Sequence, residues 1–106
     1  MLQVDESRNG AEFDLAPGEE IEVTLSENPT TGYRWHLQPA TEGGLAPDED
    51  AYEPFGAAPG AMGRRRWRFR APQEGVVRLQ WDHRRSWERA ATKSFTITIR
   101  VKTSTE

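Results

Sequence analysis

A chain of 106 residues is one domain rather than two, and without a single cysteine it holds no disulfide scaffold, thiolate metal site or thiol nucleophile. Seventeen acids against fourteen bases leave a net charge of only −3, so a hydrophobic share of 35% does not signal charge-driven disorder. No apolar run is long enough to span a membrane, and residues 1–10 lack the basic start and apolar stretch of a signal peptide. Localisation is therefore open between the cytoplasm and a trimmed secreted or periplasmic form.

The hydrophobic period is two almost throughout. A short strand is expected over residues 12–15, ended by the Pro17-Gly18 turn. Ile21, Val23 and Leu25 then alternate with Glu20, Glu22 and Thr24, predicting a strand over 20–25. Tyr33, Trp35 and Leu37 alternate with Arg34 and His36 over 33–37. Residues 38–63 are irregular and poor in large aliphatics, and a short strand is expected within them near Tyr52. Trp67 and Phe69 alternate with arginines over 64–70, and Val77, Leu79 and Trp81 alternate with Arg78 and Gln80 over 76–82. Phe95, Ile97, Ile99 and Val101 close the series over 94–102. No window shows helical spacing with caps. Seven to eight half-buried strands must cover one another, which predicts an all-β fold: an immunoglobulin-like antiparallel β-sandwich. Trp35, Trp67 and Trp81 keep the inward register, whereas Trp87 falls outside it.

Charge is unevenly placed. Residues 1–53 hold 13 acids and 2 bases, and residues 54–106 hold 12 bases and 4 acids. An immunoglobulin-like sheet sets the strands at 12–15, 20–25 and 64–70 side by side. Glu20 and Glu22, with Glu12 or Asp14, should then face Arg64, Arg66, Arg68 and Arg70 as a ladder of opposite charges. That gives the arginine run a structural role. Its aromatics point into the core rather than outward to stack bases, so no nucleic-acid partner is expected. Asp48-Glu49-Asp50 lacks the spacing of a calcium loop and reads as a solvated acidic loop. Asp82, His83 and Ser86 are neighbours on one segment, a poor arrangement for a triad with an oxyanion hole, so the chain is not read as an enzyme. No cofactor or metal is implied.

If consecutive strands run alternately up and down, the connections 26–32, 54–63 and 83–93 open at one end, where sandwiches build binding sites. Asn28-Pro29-Thr30-Thr31-Gly32-Tyr33 is stiffened by its proline and β-branched threonines, and on physical grounds alone it is simply a well-made turn. Gly60-Ala61-Met62-Gly63 is nearly free of bulk. Arg85-Ser86-Trp87-Glu88 sets a tryptophan among charges, either folded back on the sandwich edge or exposed as an interface anchor.

In order and spacing, these three segments together resemble the chagasin family of cysteine-peptidase inhibitors. The resemblance implies an immunoglobulin-like sandwich that inhibits papain-like cysteine peptidases tightly and reversibly. It also implies that Asn28, Pro29, Thr30, Thr31, Gly32 and Tyr33 enter the cleft at the catalytic cysteine. Gly60, Ala61, Met62 and Gly63, and Arg85, Ser86 and Trp87, would grip the cleft on either side. The family's third loop usually reads Arg-Pro-Trp, and here Ser86 replaces the proline with some loss of rigidity. A braced loop fits this task, because it loses little entropy on docking and offers no carbonyl in attack geometry. The expectation is a single monomeric inhibitor domain over 1–106, with a papain-like peptidase as partner and no membrane partner. The rival reading is a generic immunoglobulin-like module for another protein or a glycan.

Overall fold

The computed structural model describes residues 1–28, 31–38, 45–54 and 62–102. In chain order their elements are β1 (Leu2–Val4), a 3-10 turn (Glu6–Arg8), β2 (Glu12–Leu15), β3 (Glu20–Glu27), β4 (Tyr33–Leu37), β5 (Glu49–Pro54), β6 (Gly63–Arg70), β7 (Gly75–Arg85) and β8 (Lys93–Val101). One sheet has the order β1-β3-β6-β5 and the other β2-β8-β7-β4. The expected sandwich is there, but its sheets are mixed. β1 runs parallel to β3 and β2 parallel to β8, while the other pairs are antiparallel.

Both parallel pairs come from a crossing of the first fifteen residues between sheets. The strand at 12–15, expected beside 20–25, pairs instead with 98–101 of β8 in the opposite sheet, and β1 takes the edge beside β3. The 3-10 turn between them is capped by Asp5, whose carboxylate accepts from the Ser7 amide at 2.9 Å. From that turn the Glu6 carboxylate accepts the Ser26 amide, covering part of the β3 edge that β1 leaves unpaired.

Alternation delivers the core as expected. Trp35, Trp67 and Trp81 are buried together with the inward residues of β3, β6, β7 and β8. Trp81 is the hub, with ring centroids at 5.4 Å from Trp67, 5.6 Å from Phe95 and 6.0 Å from Phe69. Aromatic side chains of this kind bury ~150–250 Å², an upper-bound stabilisation of about 4–6 kcal/mol each.

The charge ladder forms on the outer face of the first sheet. Arg68 reaches Glu22 at 3.0 Å, and Arg66 and Arg70 lie 4.0 Å from Glu22 and Glu20. The other side of the ladder comes from β5, where Glu49 meets Arg66 at 3.1 Å and Arg68 at 3.5 Å, and Glu53 lies 3.7 Å from Arg64. Glu49 and Asp50 thus stand on a strand facing arginines and are not a free acidic loop. Glu12 pairs with Arg100 of β8, because β2 belongs to the second sheet. Exposed pairs of this kind contribute ~0.2–1 kcal/mol each.

Candidate functional site

The registers bring the expected loops to one end. Glu27 and Pro54 both lie opposite Gly63 in the first sheet, and Tyr33 lies opposite Arg85 in the second. Of the expected site residues, Asn28, Thr31, Gly32, Tyr33, Met62, Gly63, Arg85, Ser86 and Trp87 are described. Pro29, Thr30, Gly60 and Ala61 lie outside the described residues.

A polar strut that sequence reading misses underlies this end. Alternation along β3 continues past Leu25, so Glu27 points inward and is 2% exposed. Its Oε1 accepts the backbone N–H of Trp35 at 2.8 Å, joining β3 to β4 across the sandwich. The Trp35 indole N–H adds a second tie to the Ser26 carbonyl at 2.9 Å. Glu27 Oε2 lies 3.8 Å from Arg65, whose guanidinium donates two bonds to Asp50, at 2.8 and 3.2 Å. Those bonds to Asp50 are the leading reason the Arg65 guanidinium is held above its ordinary pKa. Four strands are thereby fixed immediately behind the loops.

The loop after Asn28 is closed on itself. The Asn28 carbonyl accepts from Thr31 Oγ1 at 2.8 Å and from the Thr31 amide at 3.3 Å, while Thr31 Oγ1 accepts from the Tyr33 amide at 3.3 Å. Gly32 has φ +80°, which an L side chain rarely adopts. A Cβ there would sit 3.4 Å from Trp87 Cη2 and 3.7 Å from Arg85 Cγ.

Arg85 is the joint between this loop and the next. β7 runs three residues beyond its expected end, so Arg85 is a strand residue held opposite Tyr33 rather than part of a free loop. Its guanidinium lies 4.5 Å from the Tyr33 ring and 5.8 Å from the Trp87 ring, and its Nε donates to the Thr31 carbonyl at 3.4 Å. Trp87 itself is 74% exposed, so of its two readings the open one holds. Arg84 restores some of the order that Ser86 loses by not being proline. Its Nη1 donates to the carbonyls of Arg85 and Ser86 at 3.4 Å and of Glu88 at 3.0 Å.

Behind Tyr33, the His83 ring stacks at 5.2 Å and 7°, and Trp35 lies 4.9 Å from it. Burial, with Lys93 and His36 adding repulsion, holds the His83 imidazole below its ordinary pKa and hence neutral. At the remaining loop, Gly63 is buried beneath Tyr52. A Cβ on it would collide with the Tyr52 hydroxyl and come within 2.5 Å of the Glu53 carbonyl oxygen. Met62 beside it is 48% exposed. Among the described residues no cluster of carboxylates and imidazoles suits a metal ion. The arrangement offers a stiff, partly apolar ridge rather than a catalytic pocket.

The sequence profile of the Chagasin family peptidase inhibitor I42 matches residues 14–99, and the chain belongs to that family. Chagasin of Trypanosoma cruzi is 26% identical over 105 residues, covering 94% of this chain and 96% of its own. The solution structure of amebosin superposes with a TM-score of 0.80 at 30% identity, covering 95% of this chain and 97% of its own. The crystal structure of the cysteine protease inhibitor EhICP2 from Entamoeba histolytica superposes with a TM-score of 0.83 at 19% identity, covering 95% of each chain. At that identity it speaks for the fold alone.

Proposed function

We propose that this chain, a chagasin-family cysteine peptidase inhibitor, acts as one domain over 1–106 and blocks the cleft of a papain-like peptidase with the three loops at this end. The observation that carries the proposal is the joint at Arg85, which ties the Thr31 carbonyl, Tyr33 and the exposed Trp87 into one surface. Asn28, Pro29, Thr30, Thr31, Gly32 and Tyr33 would enter the cleft, flanked by Gly60, Ala61, Met62 and Gly63 on one side and Arg85, Ser86 and Trp87 on the other.

Such a loop resists cleavage for a reason visible in its hydrogen bonds. The carbonyls of Asn28 and Thr31 are already engaged within the chain. A peptidase must polarise a carbonyl in its oxyanion hole before attack, and a carbonyl already accepting from its own chain must share or give up those bonds to do so. The preformed loop also loses little entropy on docking. Titrating the protein against papain at about nanomolar enzyme, a range that resolves tight binding, tests the proposal. Complete inhibition at a one-to-one ratio is expected, and no inhibition of any papain-like peptidase would overturn it.

A further inference from the structure

Arginines of the first sheet obey a rule that two of the second sheet, Arg34 and Arg84, break. Arg64, Arg65, Arg66, Arg68 and Arg70 each have a carboxylate within 4.0 Å. At the loop end of the second sheet, Arg34 and Arg84 lie directly opposite each other on β4 and β7. Like charges in that position are destabilising. Among the described residues neither forms an ion pair, and neither do the exposed Arg89 and Lys93. Arg84 spends its Nη1 on loop carbonyls, which leaves its charge uncompensated. Lys93 holds its ammonium 5.5 Å from the Trp35 ring.

Four carboxylates stand near these cations: Asp50 lines one cleft with Arg34 and Ser86, Glu6 lines another with Lys93, and Glu88 and Asp82 complete the set. Glu88 lies 3.9 Å from Arg85, and Asp82 accepts from Gln80 at 2.9 Å and from Ser94 at 3.3 Å. Arg34, Arg84, Arg89 and Lys93 nonetheless close no ion pair among the described residues, while Arg85 pairs with Glu88.

We infer that this half of the loop end is an electrostatic docking surface, and that the peptidase it fits carries an acidic rim beside the cleft where the 85–89 segment lands. The inference rests on the inhibitory reading and adds to it the chemistry of the target. A like-charge pair that costs folding energy is compensated once carboxylates of a partner stand opposite it. Complementary rim charges act mainly on the rate of association, and salt screens them. Arginine and tryptophan side by side are also the residues that most often anchor protein interfaces.

The test uses the charge-reversal pair Arg34→Glu and Arg89→Glu in the full chain, both exposed side chains outside the fold's ion pairs. Association rates are measured by stopped flow against papain-like peptidases ordered by the charge of their cleft rims, at about 20 mM and about 500 mM salt, on either side of strong screening. The parent should associate fastest with the most acidic rims and slow by about tenfold or more at high salt. The double variant should lose that advantage at low salt, with its dissociation rate little changed and its melting temperature equal or higher, because a carboxylate at position 34 faces Arg84. Association that is salt-independent and equal in parent and variant, with inhibition intact, would overturn the inference while sparing the inhibitory reading. The inference fails in the same way if heparin binding alone responds to the variant, since the patch would then serve a polyanion. Absence of inhibition at every salt concentration would remove both.

Discussion

Trp87→Ala isolates binding from folding, because little of the indole is committed to the fold. The side chain belongs to no strand and is 74% exposed. A side chain of this kind offers up to ~250 Å², so the covered quarter of it is about 60 Å² and carries at most ~1.5 kcal/mol. Compact unfolded chains already bury part of that area. The expected cost is therefore ~1 kcal/mol or less, a fall in melting temperature of no more than about 6 °C. The uncovered share, about 185 Å², would be worth up to ~4.5 kcal/mol if a partner covered it completely. Truncated aromatic anchors usually lose ~2–4 kcal/mol, so inhibition should weaken by about thirtyfold to a thousandfold. Thermal unfolding and inhibition constants against one papain-like peptidase read the two effects side by side. Gly32→Ala is the contrast. Its φ of +80° strains any Cβ, and although the added atom would meet Trp87 only in ordinary contact at 3.4 Å, the distorted loop should cost both stability and inhibition. A melting temperature lowered by more than about 10 °C in Trp87→Ala, beyond what the covered area supports, would refute the reasoning. So would inhibition equal to that of the parent.

Glu27→Ala leaves the buried Trp35 amide without its acceptor and Arg65 without one partner. It should cost about 2–3 kcal/mol in urea unfolding, with most of the loss recovered by Glu27→Gln, which keeps the acceptor. An unchanged midpoint in Glu27→Ala would show that the strut carries no load. Arg84→Met keeps the aliphatic stem but removes the donor to three carbonyls. It should weaken inhibition by about tenfold through a looser loop, with the melting temperature nearly constant, and a rigid loop in its amide exchange would contradict this. For His83, burial first, then Lys93 and His36, hold the folded-state pKa below the ordinary 6.5. Above that value the ring is neutral in both states. As pH falls through it the unfolded chain takes up the proton first, so stability should decline toward the folded-state value. Melting temperatures from about pH 7.5 to about pH 5 should show the decline flattened in His83→Gln; an identical slope in both proteins would count against His83 as the source.

Where alternation was unbroken, the sequence was enough. Ile21, Val23 and Leu25 could face only inward, and Trp35, Trp67 and Trp81 followed the same parity into the core. Parity says which face a side chain takes but not which sheet the strand joins. Phe13 and Leu15 suit either edge of the sandwich, and β2 accordingly lies against β8 rather than β3. β1 was invisible because Leu2 and Val4 are too few residues to show a period. Glu27 and Arg65 were legible in principle, since they share parity with Leu25 and with Trp67. They were missed because a charged residue is normally read as the end of a buried face, and only a third partner, the Trp35 amide, makes burial of this one tolerable. Arg84 as a loop brace depends on where three carbonyls come to rest, which no spacing encodes.

The crossing of the first fifteen residues from one sheet to the other has a consequence for how much chain the domain needs. The family profile spans residues 14–99, yet Val4 and Val101 are each 2% exposed and lie outside it. A chain cut back to the profile would lose β1, the 3-10 turn and half of β2. The backbone groups of Ile21 to Val23 on one side and of Thr98 and Ile99 on the other would stand bare. Two unpaired sheet margins on one small molecule invite strand addition between copies, with filaments or swapped dimers as the outcome. The stretch that identifies the inhibitor is thus shorter than the stretch that keeps it from associating with itself.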